Sequence, residues 1–160
     1  MSLNLTSRAF KHEGVIQDKY SKDGGNISPP LAWSGIPDGA KSLALIVDDP
    51  DAPSAVFVHW LVYCIPPTST ELDEDLPATS RPPHGILQGR NSFGDLGYGG
   101  PQPPQGTHRY FFHLYALDID PQLEAGASRE ELDQKIQGHI LEEAQLMGRY
   151  QHRESGSQAA

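Results

Sequence analysis

Of the 160 residues only Cys64 is a cysteine. One thiol cannot close an internal disulfide or build a cysteine-based metal site, and a reducing, cytoplasmic setting is the expectation. Cys64 lies in an apolar run, which favours a buried thiol over a nucleophile. No apolar stretch approaches the roughly 18 residues that a membrane-spanning helix needs. The chain is therefore not expected to be an integral membrane protein. Its first ten residues, MSLNLTSRAF, hold no basic segment and no long apolar one, so export by a signal peptide is not expected. Basic residues are also scarce. Twelve Lys and Arg stand against 21 Asp and Glu, a formal net charge of −9. That sign opposes attraction to nucleic acid or anionic lipid surfaces, and no nucleic-acid partner is expected. Common catalytic signatures are missing too: there is no Gly-x-Ser-x-Gly elbow, no phosphate-binding P-loop, no His-Glu-x-x-His and no Gly-x-Gly-x-x-Gly.

Glycine and proline are abundant. With 16 Gly and 14 Pro they make up about 19% of the chain, against a usual share of roughly 12%. Both residues break helices, so strands joined by shaped loops are favoured over a helical bundle. Three segments read as strands. Leu43–Val47 is a continuous aliphatic run, and Val56–Ile65 (VFVHWLVYCI) and Tyr110–Leu117 (YFFHLYAL) are apolar on both faces. Strict alternation puts Val56, Val58, Trp60 and Val62 on one side of the second strand, and Phe57, His59, Leu61 and Tyr63 on the other. Strands of this kind belong inside a covered sheet or a sandwich.

With no long helical stretch between the strands, an antiparallel all-β core is the better fit than βαβ units. One helix is expected near the C-terminus. Ser128-Arg129-Glu130-Glu131 has the form of a capping box, and Leu132, Ile136, Ile140, Leu141, Ala144 and Met147 follow at helical spacing. One domain over residues 1–153 with a frayed tail at 154–160 is the expected organisation.

Pro82–Gly106 is the most unusual segment, with seven Gly and five Pro in 25 residues. A long irregular loop inside a compact domain is usually functional or disordered. Ile86, Leu87, Phe93, Leu96 and Tyr98 punctuate it, which favours a rigid pocket wall exposing backbone N–H groups. Polar clusters adjoin the strands on both sides of this loop. Asp49-Pro50-Asp51-Ala52-Pro53 leaves the first strand on a stiff turn, where Asx-type capping of backbone N–H groups competes with a ligand role. His59 interrupts an apolar strand and fits a satisfied core histidine as well as a ligand contact. His108-Arg109 stands where the loop delivers side chains to a rim.

The runs Asn26-Ile27-Ser28-Pro29-Pro30-Leu31-Ala32-Trp33, Asp49–Pro53, His59-Trp60, Gly97–Pro104 and Gly106-Thr107-His108-Arg109-Tyr110 together carry a resemblance. In order and over about residues 3–151 they resemble the phosphatidylethanolamine-binding protein family. The bacterial and archaeal branch, often labelled Raf kinase inhibitor-like, is the nearest in look. The resemblance implies a Greek-key β-sandwich with a few peripheral helices and a small anion pocket formed by Asp49, Asp51, His59, Gly100, Pro101, His108 and Tyr110. Two positions depart from the pattern: Gln102 stands where prokaryotic members often have cysteine, and Val58 where an aromatic commonly precedes the strand histidine.

The function so implied is non-enzymatic: binding of phosphate or a phospholipid headgroup such as phosphoethanolamine, with a protein partner such as a kinase or protease modulated in some relatives. No catalytic residue, cofactor or metal is expected, and a homodimer is left open by analogy. The alternative is a hydrolase or transferase using Asp49 and His108 as an acid–base pair, against which stands the lack of an evident nucleophile. Asp49, Asp51, His59 and His108 are also chemically capable of ligating a metal, a reading the resemblance does not support.

Overall fold

A computed structural model describes residues 2–152, and the expected tail at 154–160 lies outside them. The elements in chain order are β1 (Asn4–Thr6), β2 (Gly14–Val15), β3 (Leu31–Ser34), β4 (Ser42–Asp49), β5 (Phe57–Ile65), β6 (Glu71–Leu72), β7 (Leu87–Gln88), β8 (Thr107–Leu117), α1 (Arg129–Ile136) and β9 (Ile140–Gln151). A 3-10 turn covers Asp18–Tyr20. Among the described residues the elements are thus mostly strands, with one α-helix.

Two open sheets result. The larger runs β2-β9-β8-β4-β5-β7 and the smaller β1-β3-β6. All pairings are antiparallel except β2 with β9. The aliphatic run of β4 sits between β8 and β5, and all eight of its residues are buried. A central strand has no solvent-facing side to tolerate polar residues, so its sequence reads as continuous hydrophobicity. One buried cluster draws on both sheets, with Leu5, Leu31 and Trp33 from the smaller and Leu43, Leu45, Val47, Trp60 and Phe112 from the larger. On the other face of the large sheet, Ala44, Ile46, Leu61 and Tyr63 pack with Leu132 and Ile136 of α1. Fully burying side chains of this size contributes about 1.5–3 kcal/mol each.

The capping box forms as expected. Ser128 Oγ accepts from Glu131 N at 3.1 Å, and Ser128 N donates to Glu131 Oε1 at 2.9 Å. The helix does not continue to Met147, however. Gly138 takes φ +82°, a left-handed conformation that ends helices, and Ile140–Gln151 pairs with β8 from Thr107 to Leu117. Ala144, Leu146, Gly148 and Tyr150 are buried in alternation. This period of two competes in the sequence with the helical spacing of Ile140, Leu141, Ala144 and Met147. The long partner strand decides it: alternate β9 residues bond to β8, and Met147 and Arg149 accept on the other side from Glu13 N and Ile16 N.

β5 also departs from strict alternation. Val47 faces Trp60 while Asp48 faces Val58, so His59 is an extra residue in a β-bulge. The bulge turns His59 toward the same side as Trp60: the His59 ring meets Tyr110, and Trp60 joins the cluster between the sheets. Val58, Leu61 and Tyr63 go to the α1 side. A second irregularity lies between the Leu43–Ile65 and Leu45–Val62 pairs, where Cys64 has φ +56°. Burial, with Asp120 nearby, pushes the Cys64 thiol up to about 12. Native protein is accordingly expected to react with a disulfide reagent at neutral pH far more slowly than urea-unfolded protein. Equal rates, followed by thiolate release, would contradict this.

Candidate functional site

The end of β4, the bulge of β5, the start of β8 and the glycine-proline loop converge on a cavity of about 250 Å³. Asp49, His59, His108 and Tyr110 line it, four of the seven residues expected there. All four are buried. A larger cavity of about 420 Å³ lies near β6 and gathers none of the seven. Of these two, the smaller is the candidate site, because it brings buried titratable groups face to face and the larger does not.

β4 ends in a turn whose geometry follows from its aspartates. Asp49 Oδ2 accepts from His108 Nδ1 at 2.6 Å, and Asp49 Oδ1 accepts from the Asp51 backbone N–H at 2.8 Å. The second contact is the Asx turn that the Asp-Pro-Asp spacing suggests, so Asp49 serves the turn and the pocket at once. Asp51 lies outside the lining. Its carboxylate grips Arg109 through the backbone N at 2.9 Å, Nε at 2.9 Å and Nη2 at 2.8 Å. The Arg109 side-chain hydrogen bonds hold the Asp51 pKa down to about 2, against a smaller opposing effect of burial. This fork fastens the turn to β8 beside His108.

His59 Nδ1 meets the Gly99 carbonyl at 2.6 Å. A carbonyl only accepts, so Nδ1 carries the proton and Nε2 is the ring's remaining nitrogen. Burial depresses the His59 pKa, outweighing the Gly99 and Gly100 carbonyls and the carboxylates of Asp49 and Asp48, which act the other way. The ring is therefore neutral near neutral pH. Linkage gives the sign of its effect on stability. Below the ordinary imidazole pKa of about 6.5 the unfolded chain binds a proton that the folded chain does not, so stability falls with pH. Tm is expected to drop between about pH 7 and pH 5.5, and to drop less steeply in His59→Gln. Identical slopes in the two proteins would contradict the neutral, buried ring.

Tyr110 contributes a buried hydroxyl that no hydrogen bond reaches from the described residues. Burial, and then the Asp49 and Asp51 carboxylates, push its pKa up against a smaller opposing effect of the nearby Gln102 backbone, so it keeps its proton. An apolar wall completes the cavity. Phe57 and Phe93 stand edge to face at 4.7 Å between centroids, and the His59 ring lies 4.9 Å from Phe57 and 5.6 Å from Phe93. The residue immediately before the histidine is Val58, on the opposite face; Phe57, one position earlier, supplies the aromatic. Ala52, Pro53, Pro103 and Pro104 make the remaining apolar lining, with Gln102 beside them.

Gly100 and Pro101 do not line the cavity. The Gly100 N–H donates to Asn26 Oδ1 at 2.8 Å, and the Pro101 carbonyl accepts from Lys22 N at 2.9 Å. The expectation that the loop exposes its N–H groups is corrected for three glycines. Gly97 N donates to Gly89 O at 3.1 Å, Gly99 N to His59 O at 2.9 Å, and Gly100 N to Asn26. Backbone donors in a close-packed loop are satisfied internally wherever an acceptor is within reach. Phe93, Gln102 and Asn26 stand in segments that the sequence singles out, but nothing local assigns them to this site, because their contacts lie far along the chain. Among the described residues no group of three or more His, Cys, Asp and Glu is arranged to hold a metal ion.

The sequence model of the phosphatidylethanolamine-binding protein family matches residues 6–151. The chain belongs to this family. Relatives include a UPF0098 protein of Methanothermobacter thermautotrophicus, 55% identical over 148 residues that span 92% of this chain and 98% of the relative. Another, from Aquifex aeolicus, is 46% identical over 92% of this chain and 88% of its own. Two crystal structures share the fold. A phosphatidylethanolamine-binding protein homologue of Chlamydia trachomatis is 41% identical, with a TM-score of 0.86 over 95% of this chain and 99% of its own. E. coli YbcL, described as a member of the mammalian PEBP family, is 34% identical, with a TM-score of 0.87 over 96% of this chain and 100% of its own. No helix among the described residues is long and apolar enough to cross a membrane.

Proposed function

We propose that this family member is a binding protein whose cavity takes a small phosphorylated anion, either phosphate or a phosphoethanolamine-like headgroup. The observation that carries this reading is the convergence of two imidazoles and the Tyr110 hydroxyl on one cavity, backed by the Asp49–His108 contact at 2.6 Å. With Nδ1–H bound to Asp49, a second proton on His108 makes Nε2 a charge-assisted donor to a phosphate oxygen. Tyr110 adds a hydroxyl donor in a setting with little competing water. Asp49 would repel an anion were its charge not spent on His108 and the Asp51 amide. The apolar wall of Phe57, Phe93 and the prolines suits a short methylene chain, and a zwitterion has the Asp49–Asp51 turn as the nearest source of carboxylate for its ammonium.

Binding rather than turnover is the reading because the lining has no serine, threonine, cysteine or lysine, both Asp49 oxygens are engaged by His108 and the Asp51 N–H, and Tyr110 keeps its proton. Calorimetric titration of inorganic phosphate and of phosphoethanolamine tests it. Saturable binding by the wild type, lost in His108→Ala, is expected. An absence of binding by the folded wild type for both compounds would refute the proposal. A preference for phosphoethanolamine over phosphate would locate the ammonium and methylene contacts.

A further inference from the structure

The carbonyl of Gly99 and the N–H of Gly100 belong to one peptide group. A trans peptide is planar, with its C=O and N–H pointing in opposite directions. Both ends are held. His59 Nδ1–H reaches the carbonyl at 2.6 Å, and Asn26 Oδ1 takes the N–H at 2.8 Å. The two residues therefore clamp one plane between them, and the direction Asn26 imposes decides what His59 meets. If this peptide turned over, the Gly100 N–H would face the imidazole, and Nδ1 would have to accept. The proton would then move to Nε2.

Asn26 is built for this position. It takes φ +52°, a left-handed conformation that asparagine tolerates better than most residues. Its own backbone N–H donates to Ser21 O at 2.8 Å, which closes the Ser21–Asn26 loop. Side-chain oxygen and nitrogen are told apart here by the partner, since the Gly100 N–H requires an acceptor. Tyr20 and Ser21 crowd the Gly100 α-carbon, which leaves the strand of loop little freedom to shift as a whole.

We infer that Asn26, through the Gly99–Gly100 peptide, is the positioning residue that fixes the His59 tautomer, so that His59 offers the cavity an acceptor and the site prefers an anion carrying its own proton donor. This rests on the proposed anion-binding reading and deepens it. A singly protonated phosphomonoester has a P–OH group for His59 Nε2 and ionised oxygens for His108 and Tyr110. A phosphodiester of the same single charge has no such hydrogen. The preferred ligand is therefore a phosphomonoester, free or at a chain end, rather than the diester of an intact diacyl phospholipid.

Two arms keep this separate from the parent reading. Long-range proton–nitrogen NMR of the unliganded protein reads the tautomer directly. The wild type and Asn26→Asp, which keeps the acceptor, are expected to show a protonated Nδ1 and a bare Nε2 at His59. Asn26→Ala is expected to show Nε2 protonation, in full or in exchange. A wild-type spectrum with Nε2 protonated, or an Asn26→Ala spectrum identical to wild type in folded protein, would overturn the assignment. Should Asn26→Ala fail to fold, Asn26→Ser with its shorter side chain replaces it.

In the second arm, methyl phosphate and dimethyl phosphate are titrated near pH 5.5, below the phosphomonoester second pKa of about 6. Wild type is expected to favour methyl phosphate by at least about tenfold, because the diester leaves a buried acceptor unpaired. Equal affinity would overturn the ligand preference. If neither ester binds while phosphate or phosphoethanolamine does, the ligand preference is overturned; if those fail as well, the anion-binding reading falls, and the spectra still decide the role of Asn26.

Discussion

Asparagine in place of Asp49 is expected to weaken phosphate binding about tenfold or more at pH 6, because hydrogen bonds to charged groups contribute about 1.5–3 kcal/mol. The sign separates two views of the site. If Asp49 acts only as a charge beside the anion, its removal relieves repulsion and binding tightens. The structure assigns it a different part. One carboxylate oxygen takes His108 Nδ1–H at 2.6 Å and the other takes the Asp51 N–H at 2.8 Å. An amide at position 49 can still cap the turn, but it carries no charge to stabilise a doubly protonated His108. The charge-assisted donor is then lost with the turn intact, and at most a neutral Nε2–H of His108 remains to face an anion. Calorimetry of phosphate binding checks this, with a thermal melt to confirm folding. Affinity equal to or above wild type in folded Asp49→Asn would rule out the Asp49–His108 unit as the source of the donor.

Alanine at Gly100 is expected to cost about 3 kcal/mol or more of stability, at or above the upper end of what over-packing usually costs. A Cβ there would sit 2.1 Å from the Tyr20 carbonyl oxygen, 2.8 Å from the Ser21 carbonyl carbon and 2.9 Å from the Lys22 nitrogen. All three are backbone atoms, so no side chain can swing aside. The segment they belong to is itself tied down, by Lys22 N to Pro101 O at 2.9 Å and by the Tyr98 hydroxyl to Tyr20 O at 2.6 Å. At roughly 2–4 °C per kcal/mol for a domain of this size, Tm should fall by about 6–12 °C. Urea unfolding measures the loss. A near-unchanged midpoint would show that this loop relaxes in a way the close approach does not permit. Such a result would return Gly100 to consideration as a ligand contact rather than a packing glycine.

Much of the architecture was legible in the residues. The aliphatic run of β4 and the doubly apolar runs of β5 and β8 became the three central strands of the large sheet, with ends displaced by a few residues. Ser128 and Glu131 announced the start of α1. The stop was misread, since Ile140, Leu141, Ala144 and Met147 satisfy a helical period while Ala144, Leu146, Gly148 and Tyr150 satisfy a strand period. Periodicity cannot choose between them within one segment; pairing with β8 over its whole length does. Alternation along β5 misled in a similar way. The extra residue at His59 is a matter of register with β4, and register is a property of two strands.

The sequence by itself determined the predominance of strands, through its glycine and proline content and its short apolar runs, and it determined the family, through motifs spread over most of the chain. It also marked Asp49, His59, His108 and Tyr110. Only the tertiary structure decided how these act together. The bulge aims His59 at Tyr110, the Asp51–Arg109 fork fastens the turn beside His108, and Phe57 and Phe93 close the wall. Asn26 acquires its role from Gly100, 74 positions away. The reason is physical: hydrogen-bond direction and ring contact depend on where two distant segments meet, and no local pattern encodes that meeting.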